Sequence, residues 1–480
     1  MLPTRFARSR PSRSSPRRTD EIVRTALVAF LATLYVASPL AAPAEEPIEV
    51  ILELHPARID HLAPQPRLFP ADTVLEQGNA AVVLNMLYAE RLGMVFGWPE
   101  DLHDVASLPV GDPRIAATRV TPMIPDMHRA GRIRDADWNH PLRGRPNDVY
   151  LGDMQLARRL CECGLTVWIK QQLAEGHSET AEEGIRTQLA CARHIGSPPF
   201  LVTALQAHSV ARHALDNVEF LVTRPDCANY RWSLSVLPPL FFDAPNTLAW
   251  EATYLVRSLP GLDHGPPPDD DAPAWRAIAT EFFDLLDNTP KRLDDQQRAD
   301  LVAKHAVPAR EMLVHRGRVS AEQADAMAPE TALMRMLLAY HDEIGRRRRT
   351  AWLRPPPEAI AELGDLDRLA AGMTEDFGLR GFSYASHVAD YLFIRDFSRR
   401  AAILETVESL RHHAAVHEGR LPASLADLEY PSRPDPVALL PLDYARGEDP
   451  ATATLSLPDV PGVPENLQRR RTYMIEMVMP

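Results

Sequence analysis

The chain has 480 residues but only four cysteines and three lysines, and half as many glycines as prolines, 22 against 44. None of the cysteines (Cys161, Cys163, Cys191 and Cys227) forms a CxxC pair, which excludes a thioredoxin-type redox motif and a zinc ribbon. A Walker loop and a G-x-G-x-x-G turn are both missing, so nucleotide binding lacks its usual phosphate cradle. There is no G-x-S-x-G turn to expose a serine nucleophile. Acidic residues outnumber basic ones, 65 to 52, for a formal net charge of −13. Nucleic acid needs clustered cations on its phosphates, so it is excluded as the main partner.

What is present describes a folded chain, with 45% hydrophobic and 24% charged residues, long enough for two or three domains and a core that needs no staples. The charge is unevenly spread. Residues 1–44 hold seven arginines against Asp20 and Glu21, a local +5, which leaves −18 for the remainder. An uncharged apolar stretch runs from Thr25 to Ala44, broken by Pro39, and Ala42 and Ala44 are small residues at the two positions a signal peptidase reads. This pattern predicts export, with residues 1–44 as a signal peptide cleaved after Ala44. The alternative is an uncleaved anchor, with residues 25–44 as the chain's one contact with a membrane.

Residues 45–147 read as a proline-rich region with a short strand at 48–54, one helix at 79–95, and beyond it long loops with one short helix. Residues 148–259 form the clearest helical block. One helix is expected over 148–174, a turn at Gly176-His177, and a second helix capped by Ser178 with the stripe Ala181, Ile185, Leu189, Ala192 and Ile195. A third follows Pro198-Pro199 with Leu201, Leu205, His208, Leu215 and Val218 inward. Helix hairpins of this length resemble tetratricopeptide-type repeats, with Gly176 and Ala181 at the turn glycine and the small residue; no second copy recurs at a fixed period. Residues 260–273 are a proline- and aspartate-rich linker. A second helical block spans 274–419 and ends in a long helix with the stripe Ile403, Val407, Leu410, Ala414 and His417. Residues 420–480 read as a small α+β tail, with a short helix at 421–428 and a β-hairpin from the alternating segments 452–457 and 472–478. The fold class is therefore mainly α, stacked helical hairpins with a small C-terminal α+β tail.

The tail also carries a family resemblance. "HEGRLPASLADL" at 417–428, then "RPDP", "PLDY", "TATLSL" and "RRTYMIEM", resembles the ending of a family of exported planctomycete-type bacterial proteins. That ending is similar to the globular tail of type II secretion pseudopilins. "GNAAVVLNML" at 78–87 and the segments 174–197 and 215–238 resemble the same family upstream. The resemblance implies export and a helical body, and no reaction or catalytic residue. "DPVALLPLDY" lacks the glycine usual between the aspartate-proline and the tyrosine, which weakens a calcium site of the kind some pseudopilins have.

The sharpest metal-like feature is His413 and His417, at i, i+4 on one helix face, the spacing of two imidazole ligands. No glutamate lies between them, and the apolar stripe absorbs His417, so a packed or surface histidine is favoured. His208 reads as a core histidine, and His341-Asp342-Glu343 lacks a nucleophile to orient. Arg346–Arg349 reads as a solvated cluster answering a helix dipole, and Arg469–Arg471 as guards of a sheet edge. Cys161 and Cys191 each lie fifteen residues from Gly176, so an antiparallel hairpin brings them level; they read either as a disulfide or as small buried thiols. No cofactor is implied. The favoured function is an exported, non-enzymatic helical scaffold that binds an envelope protein or peptide. The alternatives are an envelope hydrolase or metal-dependent enzyme using His413 and His417, and an accessory of a type II-like secretion system.

Overall fold

The computed structural model describes residues 48–59, 67–95, 102–140, 142, 146, 149, 151–286, 294–377 and 386–479; residues 1–44, expected as a signal peptide or anchor with Ala42 and Ala44 at its cleavage site, lie outside them. The chain is mainly helical with a small sheet region at its C-terminus.

The first described element, β1 (Ile48–Leu54), joins the C-terminal sheet. It runs parallel to β6 (Arg471–Met477), with Ile48 opposite Arg471 and Leu54 opposite Met477. β6 pairs antiparallel with β5 (Thr452–Ser456), which pairs antiparallel with β4 (Asp443–Arg446). The expected hairpin is therefore β5–β6, extended by a strand on each side. Alternation explains which face packs: Tyr473, Ile475 and Met477 are buried, while Met474 and Glu476 are exposed.

The proline-rich region is more structured than its composition suggests. β2 (Glu76–Asn79) leads into α1 (Ala80–Val95), then α2 (Leu102–Ser107), α3 (Pro113–Ala117) and α4 (Ile124–Arg132), and β3 (Ile133–Asp135) returns parallel to β2. Only one short helix was expected here after α1. The prolines start helices instead of preventing them: Pro113 opens α3 behind Asp112, whose Oδ1 accepts the Arg114 N–H at 2.8 Å, and Pro125 sits in the first turn of α4. Asn79 ties the start of α1 to the strand β3 exit, accepting the N–H of Ala81 at 3.0 Å and that of Asp137 at 2.8 Å.

The expected helix over 148–174 is α5 (Gly152–Arg159) and α6 (Leu165–Ala174), joined by a π-helical turn at Leu160–Gly164. Gly176, at φ +80°, ends the hairpin in the left-handed conformation that favours glycine. α7 (Ser178–Ile195) and α8 (Leu201–Val222) follow. Ser178 is the first residue of α7 and not its cap, because its hydroxyl donates to Asp226 at 3.0 Å. Gly184 lets α7 approach α6: a Cβ there would lie 2.7 Å from both Ile169 and Trp168.

The remaining helices are α9 (Arg231–Ser235), α10 (Ala244–Glu251), α11 (Tyr254–Ser258), α12 (Ala272–Leu286), α13 (Asp295–His315), α14 (Ala321–Ala326), α15 (Pro329–Trp352), α16 (Pro356–Phe377) and α17 (His387–Val416). Segment 260–273, expected as a linker, is packed down: Leu262 is buried, the Gly261 N–H donates to Glu281 at 2.8 Å, and the Trp275 indole donates to the Pro268 carbonyl at 2.9 Å. The short helix expected at 421–428 is a single 3-10 turn, Leu425–Asp427.

Apolar side chains gather in two cores. The first joins α1–α8 to the sheet, and the second joins α10–α13, α15 and α16. α17 belongs to both: Val388, Tyr391 and Ile394 enter the second, and Phe397, Ile403 and Leu410 enter the first.

Candidate functional site

His413 and His417 do not converge on an ion site. α17 stops at Val416, so His417 caps the helix and is exposed, which removes it from the apolar stripe that ends at Ala414. The two rings stack face to face at 3.9 Å with a 14° interplanar angle, and His417 Nδ1 is taken by the His413 carbonyl at 2.9 Å. Among the described residues, no three His, Cys, Asp or Glu side chains gather to hold a metal ion. The neighbouring His412 has a clear structural task. Its Nδ1 accepts the Ile59 N–H at 3.0 Å and its Nε2 lies 3.0 Å from Glu429, bridging the N-terminal segment to the tail.

The other sequence candidates are buried or consumed. His208 is fully buried among Phe241, Phe242 and Phe397, and burial pushes its pKa down to about 4. His341 is likewise pushed down to about 4 by burial, then by Arg348, while Asp342 is exposed and Glu343 pairs with Arg316 and Arg347. The arginine run 346–349 is split around its helix: Arg346 and Arg349 are exposed, Arg347 donates to Glu362 at 2.5 Å, and Arg348 is buried. It is therefore not one solvated cluster. Nor do Arg469–Arg471 guard an edge, since β6 is an interior strand. Arg471 turns inward to Glu219, Arg470 holds Asp459 at 2.7 Å, and Arg469 lies over the Phe393 ring at 5.3 Å.

Three polar constellations emerge that spacing did not reveal. The π turn places Glu162 and Cys163 side by side in the interior. Such turns recur at functional sites because they reset the phase of a helix. Glu162 accepts from Arg158 at 2.5 Å and from the Ser209 hydroxyl at 2.8 Å, with His213 Nδ1 3.4 Å away. Cys163 Sγ lies 4.0 Å from His103 Nδ1, but burial pushes the thiol up to about 12, so it stays protonated and is no nucleophile. Behind them, Gln188 donates to Thr166 at 3.2 Å and accepts from Asn217 at 2.9 Å.

The second constellation binds α8, α17 and β6. Glu219 accepts from Arg400 at 2.9 Å, from the Tyr473 hydroxyl at 2.6 Å, and from Arg471. Burial works to raise the Asp216 carboxyl, but Arg400 and then Arg471 outweigh it and hold it below its usual range. One turn away on α17, Asp396 pairs with Arg212 at 2.9 Å and Arg399 with Asp435 at 2.7 Å. Asp435 is the aspartate of the "RPDP" segment. Its Oδ1 accepts the N–H groups of Val437 and Ala438 at 2.7 and 2.9 Å, and its Oδ2 takes the Arg399 guanidinium.

The third surrounds Arg348. Glu251 accepts the Leu201 N–H at 2.9 Å and lies 4.0 Å from Arg348. Asp390 is pushed up to about 7 by burial, with Arg348 opposing and Asp367 and Glu251 adding. A carboxyl that titrates near neutrality is what general acid–base chemistry uses.

All four cysteines are buried thiols. The Cys161 and Cys191 thiols face one another, and that contact, followed by burial, raises the Cys161 pKa well above normal. The hairpin thus brings them level as their spacing about Gly176 predicts. No family model, curated protein or solved structure matches the chain.

Proposed function

We propose that the chain is an exported, non-enzymatic helical scaffold of the cell envelope that holds a partner protein or peptide. The observation that carries this reading is the fate of the reactive groups. Glu162, Glu219, Asp216 and Asp435 are each locked by arginine, burial holds His194, His208, His341 and His387 neutral, and Cys163 is kept a thiol. Charge used in this way fixes one arrangement of helices and leaves none of these groups poised as a nucleophile. The finer description of α6, α7 and α8 as tetratricopeptide-like stacking belongs to the same proposal, supported by the left-handed Gly176 and buried Ala181. So does membership in the exported planctomycete-type family, and export through residues 1–44.

The test is photo-crosslinking of the full chain in the envelope of an exporting bacterial host, followed by mass spectrometry. A reproducible protein or peptide adduct on the helical body is expected. Its absence across crosslinker positions on α7, α8 and α15 overturns the scaffold reading.

A second reading, an envelope hydrolase, is favoured by Asp390 and not by His413 and His417, whose stacked rings leave them ill placed as co-ligands. Stoichiometric zinc lost on His417→Ala, or a hydrolytic activity lost on Asp390→Asn, decides for it. The secretion-accessory reading draws on one feature, the pseudopilin-like tail over residues 420–480. Against it, α17 is buried along almost its whole length, so this helix is not free to serve as the anchor.

A further inference from the structure

We propose that Cys161 and Cys191 are the site of one structural disulfide, formed while the exported chain folds, and that Cys163 and Cys227 remain thiols. The inference rests on the export reading for its oxidising compartment and on geometry for its choice of partners.

The geometry has three parts. The turn at Gly176 makes α6 and α7 antiparallel neighbours and brings the two cysteine side chains face to face. Gln188, one turn before Cys191 on the same face of α7, donates to the Cys161 carbonyl at 2.9 Å, which pins this register from the backbone side. The π turn then separates the two neighbouring cysteines of α5–α6: Cys161 faces α7, whereas Cys163 faces His103 at 4.0 Å. Cys227 is directed elsewhere, its Sγ donating to the Ala228 carbonyl at 3.3 Å. One pair among the four is therefore placed to bond.

In the reaction each thiol loses a proton and the pair loses two electrons to a disulfide oxidant, a thiol–disulfide exchange protein or oxidised glutathione, whose own disulfide becomes two thiols. A mixed disulfide on one cysteine is displaced by the other. Both side chains are fully buried in the finished fold, so the exchange occurs before α8 closes over the hairpin. The product is consequently a permanent brace and not a switch: reductant does not reach it without unfolding. The loop closed is thirty residues long, and removal of the bond lowers the melting temperature by about 4 °C in a chain of this size.

The test uses the full chain expressed with its own leader in a bacterial host with an oxidising envelope. The protein is denatured with iodoacetamide and no reductant, then weighed intact and after proteolysis. The expected result is two alkylated cysteines, Cys163 and Cys227, and a linked peptide pair containing Cys161 and Cys191. Four alkylated cysteines on an exported chain, or a bridge to Cys163 or Cys227, overturn the proposal. The N-terminus and the cell fraction report separately on export. If the chain stays in the cytoplasm, the export reading fails, and a second arm decides the pairing. There, reduced protein is refolded with oxidised glutathione and weighed in the same way: a Cys161–Cys191 bridge supports the geometry and four free thiols overturn it. Cys191→Ala supplies the control, with three alkylated cysteines and no bridge expected.

Discussion

His208 sits at the centre of an aromatic box, its Nδ1–H donating to the Ala204 carbonyl at 2.9 Å. Its Nε2 has no hydrogen-bond partner among the described residues. The imidazole is therefore a neutral, tightly packed ring, and the helix carbonyl it caps already has its own backbone partner. Because the folded pKa is about 4 against 6.5 for the free side chain, neither state binds a proton above pH 6.5. As pH falls from 6.5 to 4 the unfolded chain takes up a proton that the folded chain refuses. Stability then drops, by about 3 kcal/mol at full effect. His194 and His341, both near 4, add to the same acid-side loss. Replacing His208 with Leu keeps the volume and removes the titration. Urea unfolding of His208→Leu is expected to match the parent within about 1 kcal/mol at pH 7.5 and to exceed it near pH 4. Parallel pH profiles for the two proteins would show that His208 is protonated in the fold. This residue was legible in the sequence, since a histidine on an apolar helix face is ordinarily core, although its aromatic neighbours from distant segments were not. Glu162 was not, because a buried glutamate announces itself only through Arg158, Ser209 and His213, which three different turns of helix supply.

α17 shows what helical periodicity reveals and what it hides. Its stripe Ile403, Val407, Leu410 and Ala414 is plain in the sequence and fully or almost fully buried. Arg399, Arg400, Glu405, Glu408 and Arg411, the charged residues between and beside the stripe, are buried as well. A charge pattern does not distinguish solvent from a partner held on another element, and here the partners are Asp435, Glu219 and the carbonyls of His55 and Cys227. Arg399 is the clearest case, bonding Asp435 at 2.7 Å and the Pro458 carbonyl at 2.7 Å. Arg399→Leu leaves a fully buried carboxylate with backbone N–H groups alone, and costs about 3–5 kcal/mol. Removing the charge as well, in Arg399→Leu with Asp435→Asn, recovers part of that loss, because the uncompensated ion is the main penalty. Denaturant unfolding of the single and double variants measures both. A single-variant loss below about 1 kcal/mol would mean that water reaches Asp435.

At the scale of the molecule, the chain closes on itself. β1 and β6 are strands near opposite ends of the sequence, and their parallel register is set by Ile48 against Arg471 through Leu54 against Met477. Each strand is visible from its alternation, but the pairing is not, since no local signal links segments so far apart. The helical body was legible for the opposite reason: its hairpins are neighbours in sequence as well as in space. This closure also separates the two cores. β6 serves the first through Tyr473, Ile475 and Met477, whereas Trp275, Phe282, Leu333 and Leu363 complete the second without it. Truncation after Arg470 removes the central strand, strips β1 of its paired neighbour, and leaves Glu219 without Arg471 and Tyr473. Hydrogen exchange followed by mass spectrometry reads the consequence region by region. Protection is expected to fall by orders of magnitude over 48–54 and 452–456 and to weaken along α8 around Glu219. It is expected to persist in α12 and α15. Unchanged protection at 48–54 would mean that β1 holds its place without β6. Equal loss across both cores would mean that α17 transmits the defect along its whole length and that the two cores unfold as one.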